Sequence, residues 1–82
     1  MDDVATRVEA YIFDNLVLGD RERVPARDVS LIESGVIDST GVLELIEYLE
    51  DDFGIRVDDA ETVPENLDSI DRIAAFVARK QA

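Results

Sequence analysis

Apolar residues recur at helical spacing in three separate stretches of this chain. The first stretch predicts a helix of about four turns, capped by Asp2 or Asp3 and ended near Gly19-Asp20. Its apolar positions are Val4, Val8, Tyr11, Ile12 and Leu16. Residues 20–37 lack sustained periodicity and predict a long loop, whose apolar residues are expected to pin it to the core: Val29, Leu31, Ile32, Val36 and Ile37. Long loops in small domains are often functional.

The second stretch predicts a helix that begins near Ser39, runs to about Phe53 and is ended by Gly54. Its apolar residues follow the spacing i, i+3, i+4, i+7 and i+11: Val42, Leu45, Ile46, Leu49 and Phe53. Helical geometry puts four acidic residues on the opposite side: Glu44, Glu47, Glu50 and Asp51. Leu43 lies on the flank of this acidic face, and two interpretations stay open for it, a small docking spot or a partly buried boundary leucine.

The remaining sequence predicts a return to the core and a final helix. Ile55 and Val57 are expected to contact the core, and residues 58–62 to form one short helical turn before Pro64. Asp68 or Ser69 would cap the last helix, whose apolar positions are Ile70, Ile73, Ala74, Phe76 and Val77. Its end carries Arg79 and Lys80, which suit the helix dipole. The predicted fold is all-α, a small bundle of three main helices plus one short helix, with a long loop between helices 1 and 2.

The charge of the chain argues against several classes of function. A formal net charge of −12 is unfavourable for binding nucleic acid or an anionic membrane surface. The chain has no apolar run long enough to span a membrane, no secretory signal and no cysteine, so a cytoplasmic protein is expected. Eleven acidic residues between Glu33 and Glu65 accompany a single base, Arg56. This stretch either attracts basic protein surfaces or is a solvated face.

Ser39 follows Asp38 directly at the start of the acidic helix, but the chain lacks the groups that would make it a nucleophile. There is no histidine or cysteine, and the single lysine is Lys80. An exposed aspartate with a pKa of about 3.9 is a feeble base at neutral pH. No catalytic residue is therefore predicted. The acidic segment 50–59 does not match the EF-hand pattern, so no metal site is predicted either. Ser39 is suited to covalent modification, or it is a structural helix cap.

These residues resemble the acyl carrier proteins, a phosphopantetheine-attachment family that also includes peptidyl and aminoacyl carrier domains. The family has an Asp-Ser-Leu tripeptide after a short Gly-containing turn, and the corresponding segment here is Gly35-Val36-Ile37-Asp38-Ser39-Thr40. The resemblance continues through Leu45-Ile46-Glu47 and residues 50–55 to Asn66-Leu67-Asp68-Ser69-Ile70. It covers nearly the whole chain in order and implies that residues 1–82 form a single acyl-carrier-like domain.

The resemblance implies a role for each residue around Ser39. Ser39 would carry a 4′-phosphopantetheine arm, attached from coenzyme A by a separate Mg²⁺-dependent phosphopantetheinyl transferase. The thiol of the arm would hold an acyl or aminoacyl group as a thioester, and the carrier itself would catalyse nothing. Asp38 would help to position the metal and substrate of the transferase. Basic partner enzymes would recognise five positions on the second helix: Leu43, Glu44, Glu47, Glu50 and Asp51.

One position departs from the family pattern. Thr40 stands where leucine is usual and is followed by Gly41. Because Thr40 adjoins the attachment point, it is expected to influence partner choice. The departure favours a free-standing carrier of a specialised biosynthetic pathway, loaded by its own acyl- or amino-acid-activating ligase and unloaded by acyl-accepting enzymes. A monomer is the default expectation. The alternative is a small acidic helical interaction module that is never modified.

Overall fold

Helices are the only regular elements in the computed structural model, which describes residues 3–81. The elements are α1 (Val4–Tyr11) with a π-helical continuation (Ile12–Leu16), α2 (Ser39–Phe53), the short α3 (Pro64–Leu67) and α4 (Ile70–Gln81). Two 3₁₀ turns lie in the connections, at Arg21–Arg23 and Asp59–Glu61. The predicted all-α bundle is confirmed. None of the described helices is long and apolar enough to cross a membrane.

A single hydrophobic core holds the helices together. α1 and α3 pack against α4, and α2 joins the same cluster of buried side chains. The fully buried side chains include residues from each long helix and from the first loop: Val8, Ile12, Leu31, Leu45, Leu49, Ile70, Ile73 and Val77. All of these were predicted, whereas the burial of Ala5 and Val17 was not. Each large apolar side chain buried in this way favours folding by about 1.5–3 kcal/mol.

Two alternative capping residues were predicted for α1 and two for α4, and in each helix one of the two is the cap. Oδ1 of Asp3 accepts a hydrogen bond of 2.8 Å from the backbone N–H three residues on, while Asp2 lies outside the described residues. At α4 the cap is Ser69, whose Oγ accepts a 3.1 Å hydrogen bond from the N–H three residues on. Asp68, the other predicted cap, therefore has its carboxylate free for a different partner.

The end of α1 widens into a π-helical turn that the sequence did not predict. The N–H of Val17 bonds to the carbonyl oxygen of Ile12, five residues back, at 3.0 Å. The chain then leaves the helix through two left-handed residues, Leu18 (φ 52°) and Gly19 (φ 85°). The predicted stop near Gly19 is confirmed, because a left-handed glycine is a common way to end a helix.

The long loop between α1 and α2 is anchored by only part of the predicted set. Leu31 and Ile37 are buried and Val36 is half-buried. The prediction was wrong for Val29 and Ile32, which are 40% and 50% exposed. Both lie in turns, where neighbouring side chains diverge, and Leu31 occupies the position that faces the core.

Asp68 attaches this loop to the start of α4. Its carboxylate accepts hydrogen bonds from the hydroxyl of Ser30 (2.7 Å) and from the backbone N–H of Ile32 (3.1 Å). Its carbonyl oxygen accepts a third hydrogen bond, of 2.7 Å, from the N–H of Leu31. Three consecutive loop residues are therefore bonded to one aspartate. This arrangement fixes the loop in the region where the chain approaches α2.

The connection after α2 combines confirmed and unpredicted features. α2 ends at Gly54, which is left-handed (φ 67°), as predicted. The carboxylate of Glu50 accepts a 2.9 Å hydrogen bond from the N–H of Val57, and Ile55 and Val57 pack against the core as predicted. The helical turn predicted for residues 58–62 is the 3₁₀ turn at Asp59–Glu61. α3 was not predicted, because Pro64 was interpreted only as a boundary, whereas it is the first residue of that helix.

An aromatic cluster joins α1 to the second half of α2. The rings of Tyr11 and Tyr48 are stacked, with centroids 4.2 Å apart, and Phe53 meets Tyr48 edge-on at 5.9 Å. The hydroxyl of Tyr48 donates a 3.2 Å hydrogen bond to the carbonyl oxygen of Arg7, whose guanidinium group lies over the Phe53 ring. Burial, followed by the negative charge of the neighbouring Asp52, raises the pKa of Tyr48 to about 12.

A surface ion pair ties the 3₁₀ turn before α3 to the end of α4. The ammonium group of Lys80 lies 2.8 Å from Oε1 of Glu61, and the same carboxylate accepts a 3.1 Å hydrogen bond from the N–H of Asp58. The hydrogen bond from Lys80, and then that from Asp58, lower the pKa of Glu61 below its usual value of 4.5. The folded state therefore favours the ionised form of Glu61.

We expect Glu61→Gln to lower the free energy of unfolding at neutral pH and to flatten its decline in acid. A lowered pKa contributes stability above the usual glutamate pKa of 4.5, and this contribution is lost as the pH falls through the lower value in the folded state. Urea unfolding at a series of pH values measures both effects. The control, Glu65→Gln, removes an equal charge from an exposed position on α3. Equal acid dependence in the two variants would contradict the prediction.

Candidate functional site

Asp38, and not Ser39, is the N-cap of α2. Asp38 is extended (φ −119°, ψ −171°), and its Oδ1 accepts a 2.7 Å hydrogen bond from the backbone N–H of Gly41. Ser39 is the first helical residue. The interpretation of Ser39 as a structural cap is therefore wrong, because the neighbouring aspartate already satisfies the helix start.

The Ser39 side chain is exposed to solvent at the start of α2. No hydrogen bond joins its hydroxyl to another residue in the described part of the chain, and the only side chain bonded to the first turn of the helix is that of Asp38. A serine without a contacting base is not activated for nucleophilic catalysis. The described residues also contain no group of three or more acidic side chains arranged to hold a metal ion. The geometry is that of an accessible, unactivated hydroxyl.

Gly41 supports this geometry and was missed as a site residue. A Cβ atom at this position would lie 2.9 Å from Cγ1 of Ile37 and 3.3 Å from Oδ1 of Asp38. Only glycine lets the loop and its capping carboxylate approach the first turn of α2 so closely. The sequence contained a signal, because glycine inside a helix costs about 1 kcal/mol relative to alanine and calls for a packing reason.

The acidic face of α2 is exposed along most of its length. Glu44, Glu47 and Asp51 are exposed, whereas Glu50 is half-buried and bonded to the backbone of the following segment. Leu43 is 64% exposed, so the partly buried alternative for this residue is wrong. α2 therefore presents one apolar side chain among carboxylates, next to the exposed Ser39.

Two depressions lie beside the first two turns of α2. The first, here called the Thr40 groove, has a volume of about 320 Å³ and is lined by eight residues: Asn15, Leu16, Gly35, Val36, Asp38, Thr40, Gly41 and Glu44. The second, here called the Val42 pocket, has a volume of about 80 Å³ and a mainly apolar lining: Ile32, Val42, Val63, Pro64 and Leu67. Thr40 and Val42 thus belong to different depressions, although they are two residues apart.

We expect Gly41→Ala to destabilise the fold by about 1–3 kcal/mol, although alanine is the better helix former. The added methyl group would displace Ile37 and the capping carboxylate of Asp38. Asp38→Ala should cost about 1 kcal/mol through loss of the cap. Urea unfolding of both variants and of the double variant measures these costs.

The double variant tests whether Gly41→Ala acts by displacing Asp38. In that case the double variant should be destabilised by less than the sum of the two single costs, because Gly41→Ala alone already weakens the cap. Fully additive costs, or a stabilised Gly41→Ala variant, would contradict the close approach of the loop to α2.

The chain has a curated relative among carrier proteins, although no family model matches it. A D-alanyl carrier protein from Abiotrophia defectiva is 31% identical over 55 residues, which cover 67% of this chain and 70% of that protein. The small helical bundle described above agrees with this similarity. The chain therefore belongs to the carrier proteins of the acyl and peptidyl carrier type.

Proposed function

We propose that the protein carries an acyl or aminoacyl group as a thioester on a 4′-phosphopantetheine arm attached to Ser39. The observation that carries the proposal is the exposed, unbonded hydroxyl of Ser39 at the start of α2, in a chain that belongs to the carrier proteins. The arm supplies the thiol chemistry, which a chain without cysteine lacks. The proposal treats residues 1–82 as a single carrier domain without catalytic activity of its own.

The residues around Ser39 fit the attachment of such an arm. Oγ of Ser39 would form the bond to phosphorus, its proton would pass to the phosphopantetheinyl transferase, and the nucleotide part of coenzyme A would leave. Asp38 uses Oδ1 for the helix cap, and its Oδ2 makes no hydrogen bond to another described residue. Oδ2 is therefore available to the Mg²⁺ of the transferase, which supports the assisting role of Asp38.

The acidic face of α2 is the proposed surface for partner enzymes. Glu44, Glu47 and Asp51 are exposed and would pair with basic residues, while Leu43 would enter an apolar recess of the partner. Glu50 would contribute its charge, although one of its oxygens is bonded to the backbone. The partners would be the transferase, an activating ligase and acyl-accepting enzymes, in the cytoplasm.

An aminoacyl cargo receives support from the relative, which is named a D-alanyl carrier protein. Thr40, which adjoins Ser39 and is exposed, supports a specialised pathway rather than bulk fatty-acid synthesis. An activating ligase would then load a small amino acid or acyl group. Thr40 would take part in the choice of partner because it lies beside the attachment point.

Incubation with coenzyme A, Mg²⁺ and a broad-specificity phosphopantetheinyl transferase should add the mass of one phosphopantetheine group to the protein. Intact-mass spectrometry measures the gain, which should be absent in Ser39→Ala. Ser34→Ala, at another exposed serine in the preceding loop, is the matched control and should be modified normally. An unchanged mass of the unsubstituted protein would instead favour an unmodified acidic interaction module.

Reversing the charges of Glu44 and Glu47 to lysine should slow phosphopantetheine transfer by at least about tenfold, because electrostatic steering accelerates association with a basic partner. The control variant, Glu22→Lys with Glu65→Lys, changes the net charge equally at exposed positions outside α2. Initial rates at low and high salt measure the effect, which should shrink at high salt. Equal slowing in both variants would show that total charge, and not the α2 face, controls docking.

A further inference from the structure

The Thr40 groove contains two features for which the proposed function names no contact with the arm. One is Thr40 itself. The other is the π-helical turn of α1, which contributes Asn15 and Leu16 to the wall of the groove. π-helical turns inside α-helices occur frequently at functional sites. The groove therefore combines an irregular helix end with the residue next to the proposed attachment point.

The lining of the groove is suited to a neutral ligand that donates hydrogen bonds. Four acceptors belong to its lining residues, and no hydrogen bond within the described part of the chain uses them: Oδ1 of Asn15, Oδ2 of Asp38, the hydroxyl of Thr40 and the carboxylate of Glu44. Nδ2 of Asn15 already donates a 3.1 Å hydrogen bond to a backbone carbonyl of α1. No basic residue is among the groove's lining residues in the described chain, so an anionic group would be unfavourable there.

The rest of the lining offers apolar contact. Leu16 and Val36 are half-buried members of the layer that packs against the core, and both border the groove. With about 320 Å³, the groove is at the lower end of the range for small-ligand sites, which is about 300–1,000 Å³. The Val42 pocket, with about 80 Å³, is far below that range.

We infer that the Thr40 groove holds the pantetheine part of the arm; this inference rests on the proposed modification of Ser39. Pantetheine is neutral, and it has two amide N–H groups, a hydroxyl group and a pair of geminal methyl groups. The amide groups donate to Glu44 and Asn15, and the geminal methyl groups contact Leu16 and Val36. The phosphate stays at Ser39, which is not among the residues that line the groove. Thr40 is a positioning residue whose hydroxyl bonds to the arm.

This placement gives Thr40 a physical role at the position where leucine is usual in the family. A leucine side chain would replace the hydroxyl group by an apolar group at the edge of the groove. The arm would then lose one hydrogen bond on the α1 side of α2.

The test is nuclear magnetic resonance of the isotope-labelled protein before and after modification, with complete modification established first by intact mass. Nuclear Overhauser effects are expected between the geminal methyl protons of the arm and the methyl groups of Leu16 and Val36. Thr40→Val keeps the shape of the side chain and should weaken these effects roughly fivefold, as expected for loss of one neutral hydrogen bond. Thr62→Val is the matched control, because Thr62 lines the Val42 pocket.

Three results would overturn the inference while leaving the proposed function intact. The arm could show contacts only with Val63 and Leu67 of the Val42 pocket. It could show none beyond the residues next to Ser39, as for a freely moving arm. Thr62→Val could weaken the contacts as much as Thr40→Val does. A protein that gains no mass overturns the proposed function, and the groove inference with it.

Discussion

The burial of Leu31 is the constraint on which the position of Ser39 depends. Its side chain is completely buried, and its N–H bonds to the carbonyl of Asp68. Its own carbonyl accepts hydrogen bonds from the N–H groups of Val36 (3.1 Å) and Ile37 (3.2 Å). Ile37 in turn packs against Gly41 in the first turn of α2. A continuous set of contacts therefore runs from the start of α4 to the residues that flank Ser39.

Sequence periodicity predicted the long helices because burial of a helical stripe dominates their stability. It could not choose between neighbouring residues that are both good caps. Asp38 and Ser39 can each start a helix, and their residue types alone do not show which of the two takes the extended backbone conformation of a cap. Likewise, the pattern could not show that Leu31 is buried and Ile32 exposed in the same turn, since both are apolar.

The candidate site was predictable in its chemistry but not in its surroundings. The serine, the aspartate and the acidic face are adjacent in sequence or lie on one helix, so their relation follows from helical geometry. The Thr40 groove brings together α1, the loop and α2, which are distant in sequence. The π-helical turn escaped prediction because one additional residue in a turn hardly alters the apolar pattern.

The stacked pair of Tyr11 and Tyr48 makes the chain its own optical reporter. These are its only tyrosines, and it has no tryptophan. Its near-ultraviolet absorption and emission therefore arise chiefly from these two rings, which are stacked where α1 meets α2. Burial raises the pKa of both phenols above the usual value of 10.0, so they stay neutral at ordinary working pH. Changes in the signal would then report separation of the two helices, without any attached dye.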